Sequence, residues 1–566
     1  MKKRLSFLTL TIIALTSCSF LDAAKSSSSS KGSSAGSTTT TSSTTSTSTS
    51  SSTSSADSSK TTTISSSSTS YDPTKAIKVT NSASKYIYSD VDATTGVHGL
   101  PSTGTQHMLV LPITISGYEA NANATNLDTI KKVLGAGAYA DNSTAAAKTG
   151  WETERSFYAK SSYGKLDLQF TVADWYACGM TKQQIVDKNS EGASKCMYGV
   201  EEVLSDALAN YKTQNNTNCT EFDNNGDGYI DGAIAVYSCP DDVEFDSDGT
   251  FWAFSFECIA KDGQDYLTPS TTSPVMHKYF WSSYDMVGSG SYYSAQPGKS
   301  GSTLTKTIPA DAHTCIHESG HMMGLDDYYD YKNTRSPMAG ADMMDNNIID
   351  HNSFSKFALG WENVQVVSGT TGSLSVTLKP AVTNAGQVLL LPSSSGWNGS
   401  AFDEYILIEY FTPTDLNYND STYAYETRAR AMGIQGVRIF HVDARLCKVT
   451  ASGNSSVVGA YIDEVVSSNT VGTLVSHSNT VSRSSKDGDK YELITLLDHA
   501  GVAHRKSINY ANNASLWTNG TSFDYDTYKS QFPLNTGMND GGSMKYHVAF
   551  SNMTSAGVTC TVTFVE

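Results

Sequence analysis

The sequence predicts an α+β domain, built as a twisted mixed sheet with one histidine-bearing helix, followed from residue 366 by a β-rich, sandwich-like region. Three observations carry this expectation. Helical and strand periodicities interleave between residues 77 and 365. Within that stretch His317, Glu318 and His321 fall at helical spacing. After Trp361, short alternating or β-branched segments such as Leu374–Leu378, Tyr405–Ile408 and Val558–Phe564 are separated by loops rich in Ser, Gly and Asn.

At the start of the chain, Lys2, Lys3 and Arg4 precede an apolar stretch from Leu5 to Leu15, too short for a stable membrane span. Residues 1–17 therefore read as a secretion signal. The stretch ends in Leu15-Thr16-Ser17-Cys18, which resembles the lipobox of bacterial lipoproteins. That resemblance implies a lipidated Cys18, whose acyl chains anchor the protein on the outer face of the cell membrane. Residues 18–76 are the anchor and its tether: from 26 to 70 nearly every residue is Ser or Thr, a composition with no core to bury. A flexible chain of that length spans on the order of 35–40 Å, enough to hold a globular domain clear of the membrane.

The folded part begins near residue 77. His107–Ser116 reads as a buried strand, with Pro112 suggesting a sheet edge or bulge. Leu127, Ile130 and Leu134 keep helical spacing and Gly135 ends that helix. Leu166, Leu168, Phe170 and Val172 alternate as in a strand, and Val200, Val203, Leu204, Ala207, Leu208 and Tyr211 trace one face of a long helix. Between them and the histidine-bearing helix, Asp223, Asn225, Asp227 and Asp231 occupy positions one, three, five and nine of an EF-hand-like loop, with Gly228 at six. This pattern points to a structural calcium ion. Position twelve is Ile234 and not a glutamate, so the loop is no sensor hand. The competing reading is an Asp/Gly-rich turn entering a strand from Tyr229 to Tyr237.

Pro309 and Asp311 are placed to open the histidine-bearing helix, the proline in its first turn and the aspartate as its cap. His317 and His321, four apart, lie on one face about 6 Å apart along the axis, so both imidazoles can converge on one metal. Glu318 projects about 100° around the helix, where a carboxylate serves as general base. Gly324 can take the left-handed conformation that ends the helix and turns the chain back, bringing Asp327 to the metal. A catalytic zinc keeps three protein ligands, which His317, His321 and Asp327 would supply. Behind Asp327 the alternatives are Asp326, then His351; no glutamate occurs between Glu318 and Glu362. His313 shares the helix face, but ligands at i, i+4 and i+8 would stretch about 12 Å, so it is read as structural.

The run HESGHMMGLDDYYDY, the segment Ser336–Asp345 with Met343 and Met344, and Asp350–Trp361 resemble the immune inhibitor A family of secreted bacterial zinc metallopeptidases. The likeness extends to Ser156–Leu166 upstream and to Gly436-Val437 and Phe440–Asp443 downstream, roughly residues 100 to 450. It implies a metzincin-like fold over 77–365, one catalytic zinc and proteolysis of extracellular proteins. It also implies a methionine turn beneath the metal, which Met344 matches best and Met343 next. The family often has proline before the third ligand, where this chain has Asp326.

A formal charge of −17 makes nucleic acid an unsuitable partner, and no basic patch offers a lipid-binding face, so the membrane is reached only through the N-terminal lipid. Protein or peptide substrates remain. Besides Cys18 there are eight cysteines, an even number in a compartment that permits disulfides, without a CxxC pair to suggest a second zinc site. Cys315 is read as a small buried side chain. The rival reading of the whole is a non-catalytic surface adhesin or binding lipoprotein with a retained metal site. The intact Glu318 argues against it, because holding a metal does not require that base.

Overall fold

Alternation along the first long strand sets the architecture. The computed structural model describes residues 73–93, 98–142, 150–191, 197–258, 267–450, 455–457, 470–475, 478–480 and 491–566. The signal, Cys18, the 26–70 tether and Cys196 lie outside the described residues. Strands β1 (Lys78–Ser82), β2 (Gly104–Thr114), β3 (Leu166–Val172), β4 (Tyr176–Ala177), β5 (Tyr229–Ile230), β6 (Ala233–Tyr237), β7 (Phe254–Glu257), β8 (Val275–Met276) and β9 (Lys278–Ser283) follow in order. With them come helices α1 (Tyr88–Ala93), α2 (Ala124–Leu134), α3 (Glu154–Ser161), α4 (Lys182–Asn189) and α5 (Tyr198–Asn215).

The sheet runs β3-β2-β6-β9-β7. Its members pair in parallel except β7, which lies antiparallel on β9 at the edge. Leu109, Leu111 and Ile113 of β2 share a core with Val200, Val203, Leu204, Ala207 and Leu208 of α5. The alternate residues Met108 and Val110 face a second core with Phe157 and Tyr158 of α3. Both faces are covered, which is why β2 and β6 read as continuous apolar runs.

Pro112 is not at an edge. β2 lies between β3 and β6, and the proline sits where its neighbour changes from β3, paired up to Val110, to β4, paired from Ile113. A residue without an N–H fits that interruption in the ladder. Helix α2 is capped by Asn123, whose side chain accepts from the Asn126 N–H, and ends at Gly135 with φ 79°.

Strands β10 (Gly290–Ser294) and β11 (Thr303–Ile308) lead into helices α6 (His313–Met322), α7 (Met343–Asn346) and α8 (Ser353–Ala358). Beyond them lie β12 (Val364–Ser368), β13 (Ser373–Leu378), β14 (Leu389–Pro392), β15 (Glu404–Phe411), β16 (Ala424–Tyr425), β17 (Gly436–Asp443), β18 (Leu446–Thr450), β19 (Ser455–Val457), β20 (Thr470–Val475), β21 (Ile494–Leu497), β22 (Ser522–Phe523), β23 (Tyr546–Thr554) and β24 (Gly557–Phe564). A second six-stranded sheet runs β1-β12-β14-β15-β17-β21, and its strands β15 and β17 are buried on both faces. Leu389, Leu391, Ile406, Ile408, Val437 and Ile439 share a core with Leu378, Val548, Phe550, Val558, Cys560 and Val562 of the sheet β13-β24-β23-β22. The intervening Leu390, Tyr405, Leu407, Phe440 and Val442 belong to the core that also holds α6.

The β-rich region thus contributes two facing sheets, and one of them backs helix α6. β1 from the start of the folded part pairs with β12, and β10 pairs with β16, so hydrogen-bonded ladders join residues on both sides of position 365.

Candidate metal centre

Helix α6 is buried on nearly every side, and each side has a tether. The N-cap is Ala312, with no side-chain cap bond, and not Asp311; from one residue earlier Asp311 Oδ1 accepts from the His313 N–H at 3.1 Å, while Pro309 lies before the helix and not in its first turn. Tyr158 OH donates to Ile316 O at 2.5 Å and Ser319 Oγ donates to Glu154 Oε1 at 2.6 Å. Burial pushes the Glu154 carboxyl up to about 8, with the Ser319 bond opposing. The last carbonyl of the helix, Met322 O, accepts from Leu100 N–H at 2.8 Å.

Gly324, with φ 101°, turns the chain back, and a Cβ there would lie 2.8 Å from both Tyr88 Cβ and Asp92 Oδ2. The return brings Asp327 Oδ1 to 2.9 Å from His317 Nε2 and 3.3 Å from His321 Nε2, with the two Nε2 atoms 3.2 Å apart. His317 Nδ1 donates to Met343 O at 2.9 Å and His321 Nδ1 donates to Leu325 O at 2.7 Å. The roles follow from those partners: with Nδ1 protonated in the neutral ring, each Nε2 presents a lone pair. Two lone pairs and a buried carboxylate oxygen without a hydrogen-bond donor converge on one point. A tetrahedral zinc about 2.0–2.1 Å from each atom would hold its ligands about 3.3 Å apart, which matches the triangle. Both imidazoles beside it hold the Asp327 carboxyl well below the usual range, against the effect of burial.

Of the alternatives, Asp326 is outside the triangle; burial pushes its carboxyl up to about 6, with His321 pulling it down. His351 is buried elsewhere, its Nδ1 3.2 Å from Ser161 Oγ. His313 is held between the rings of Trp151 and Tyr425 at centroid distances of 3.8 and 3.9 Å. Its Nδ1 lies 2.6 Å from Asp311 Oδ1 and its Nε2 3.8 Å from Asp420 Oδ1. Burial opposes its charge, but Asp311 and Asp420 outweigh that and push it up to about 9. Cys315 is a buried free thiol.

Glu318 is 5% exposed, and its Oε2 has no partner. Burial raises its carboxyl above the usual value, with His321 and His317 opposing. The Ser255 backbone N–H of edge strand β7 acts on the same carboxylate.

Met344 packs beneath the helix: a Cβ on Gly320, between the two histidines, would lie 2.6 Å from Met344 Sδ. Its neighbour Met343 supplies the carbonyl that orients His317, and Met344 O accepts from Tyr328 N–H at 2.8 Å, beside Asp327. The segment therefore supports two of the three donors through its backbone.

Sequence reasoning missed Tyr331. Its OH donates to Asp327 Oδ2 at 2.6 Å, leaving Oδ1 to face the imidazoles. The available signal was a tyrosine four residues past the third donor. Tyr329 stacks on His317 at 6.4 Å between centroids.

A second cluster brings Asp223, Asp227 and Asp231 together, one carboxylate oxygen from each lying within 4.8 Å of the others. The strand expected from Tyr229 to Tyr237 divides at Asp231-Gly232 into β5 and β6. Asn225 stays in the loop, Oδ1 accepting from the Asp227 N–H at 2.9 Å. Burial raises the Asp231 carboxyl to about 7.

No family model and no curated protein sequence matches this chain.

Proposed function

We propose that the chain is a zinc metalloendopeptidase with a metzincin-like catalytic core, acting on extracellular proteins while tethered through Cys18 to the outer face of the cell membrane. The observation that carries the proposal is the pairing of a three-donor triangle with a buried carboxylate whose free oxygen faces no donor. His317, His321 and Asp327 would hold the zinc, and Glu318 follows His317 as a base and not as a ligand.

Zinc, when bound, supplies a Lewis acid that lowers the pKa of water and polarises a carbonyl. Glu318 Oε2 receives the proton of the attacking water and passes it to the nitrogen of the leaving amine. Burial favours the first transfer, because a carboxylate whose acid is held above its usual value is a stronger base. Among the described residues β7 pairs only with β9, so its outer edge offers backbone groups on which an extended peptide can align beside Glu318. Met344 and the carbonyls of Met343 and Leu325 keep the donors in place. No helix among the described residues is long and apolar enough to cross a membrane, and attachment is assigned to the lipid alone.

The test is cleavage of denatured casein by the chain and by its Glu318→Ala variant, with zinc measured in both. The expected outcome is about one zinc in each protein and cleavage by the wild type only, abolished by a chelator and restored by zinc. Equal turnover in the variant refutes the role of Glu318. A wild type without zinc supports the surface binding protein instead.

A further inference from the structure

The Asp223–Asp231 loop has a feature that an acidic turn does not need. Asp231 is 0% exposed, and its Oδ1 has no hydrogen-bond partner. Oδ2 of the same carboxylate accepts from Asn224 N–H and Asn225 N–H. Asp223 and Asp227 turn their carboxylates to the same point. Burying one carboxylate with an unmet oxygen against two others is costly unless a cation joins them. The donors are all oxygen, which selects a hard cation, and an irregular protein cage suits calcium better than the strict octahedron of magnesium.

The loop also reaches the metal-carrying helix. Asp227 Oδ2 lies 2.5 Å from His98 Nδ1. Two residues on, Leu100 N–H donates to Met322 O, and Gly99 passes so close that a Cβ would meet that oxygen at 2.6 Å. Gly232, next to Asp231, lies where a Cβ would be 3.5 Å from Met322 Sδ and 3.6 Å from Leu100 Cβ. Met322 follows His321 and precedes the turn that delivers Asp327.

We infer that Asp223, Asp227 and Asp231 form a calcium site whose occupancy clamps the end of the metal-carrying helix through His98–Leu100 and Gly232. The clamp rests on the zinc reading; the calcium site does not. Ile234 at position twelve withholds the usual bidentate ligand, so the affinity falls in the range of about 10⁻⁴–10⁻³ M found in extracellular modules.

Two measurements on the full chain separate the halves. Calcium binding is followed by titration calorimetry and by terbium luminescence in wild type, Asp231→Asn and His98→Ala. Zinc release to 1,10-phenanthroline, which leaves calcium in place, is timed with and without calcium. One calcium site is expected in wild type, weakened about tenfold or more in Asp231→Asn. Calcium should slow zinc release about fivefold in wild type and leave it unchanged in His98→Ala, which still binds calcium. A wild type that binds no calcium, or an Asp231→Asn variant that binds it equally, overturns the site. Zinc release indifferent to calcium in wild type overturns the clamp. Calcium binding by a chain that takes up no zinc refutes the zinc reading and leaves the calcium site standing.

Discussion

Replacing Gly320 by alanine places a methyl carbon 2.6 Å from Met344 Sδ and 3.1 Å from its Cε. Unstrained contacts between such atoms lie near 3.5–4.0 Å, so the thioether has to retreat by about 1 Å. Met344 is fully buried, so its thioether can move only by repacking against its neighbours. Overpacking of this kind costs about 1–3 kcal/mol of stability. The displacement is transmitted to the backbone that orients the site, because Met343 O holds His317 Nδ1 and Met344 O holds the amide beside Asp327. Loss of such supporting bonds weakens metal affinity about 10–100-fold. The assay is chemical denaturation of the metal-free protein together with zinc competition against a chromogenic chelator. Met344→Ala alone opens a cavity and costs about 2–5 kcal/mol, yet in the double variant it removes the clash. The two substitutions should therefore be coupled by about 1 kcal/mol or more in the favourable direction. A Gly320→Ala protein with native stability and native zinc affinity, or strict additivity in the double variant, refutes the role of Met344 as the support of the helix.

Three further outcomes follow from the site. Asp327→Asn should lower zinc affinity about 100-fold or more, whereas Asp326→Asn, outside the triangle, should stay within about threefold; equal losses in a zinc competition assay would contradict the assigned third donor. Tyr331→Phe removes the bond to Asp327 Oδ2 without changing the ring, so stability should hold while zinc affinity falls about tenfold in the same assay. The pairing of His313 raises its folded value to about 9 from an ordinary value of 6.5. Its stabilisation is therefore complete below about pH 6.5 and is lost as pH rises through about 9, a span worth about 3 kcal/mol. Denaturation midpoints of the zinc-loaded protein across that window should fall in wild type and stay level in His313→Gln.

The local chemistry of the site was legible in the chain because it depends on short-range geometry. Two histidines four apart on a helix face one way, and a glycine three residues later permits the return, whatever the rest of the molecule does. The same holds for the helix that ends at Gly135 and for the face of α5, where periodicity alone names buried Ile130 and Leu134 and buried Val200, Val203, Leu204, Ala207 and Leu208; Leu127 and Tyr211, on the same stripes, are half-buried. His313 likewise could be set aside on distance along a helix.

Tertiary structure decided what depends on residues far apart in sequence. Asp326 and Asp327 are chemically identical, and only the course of the loop, closed against Tyr88 and Asp92 at Gly324, turns Asp327 inward. Pro112 suggested an edge because sequence cannot show that two different strands, β3 and β4, share one side of β2. The partition of the chain at residue 365 describes a change of composition, whereas the ladders from β1 to β12 and β10 to β16 cross it. His98 and Tyr331 carried no motif. Their importance arises from what stands opposite them, a carboxylate in each case, and long-range proximity is the property that a linear pattern does not encode.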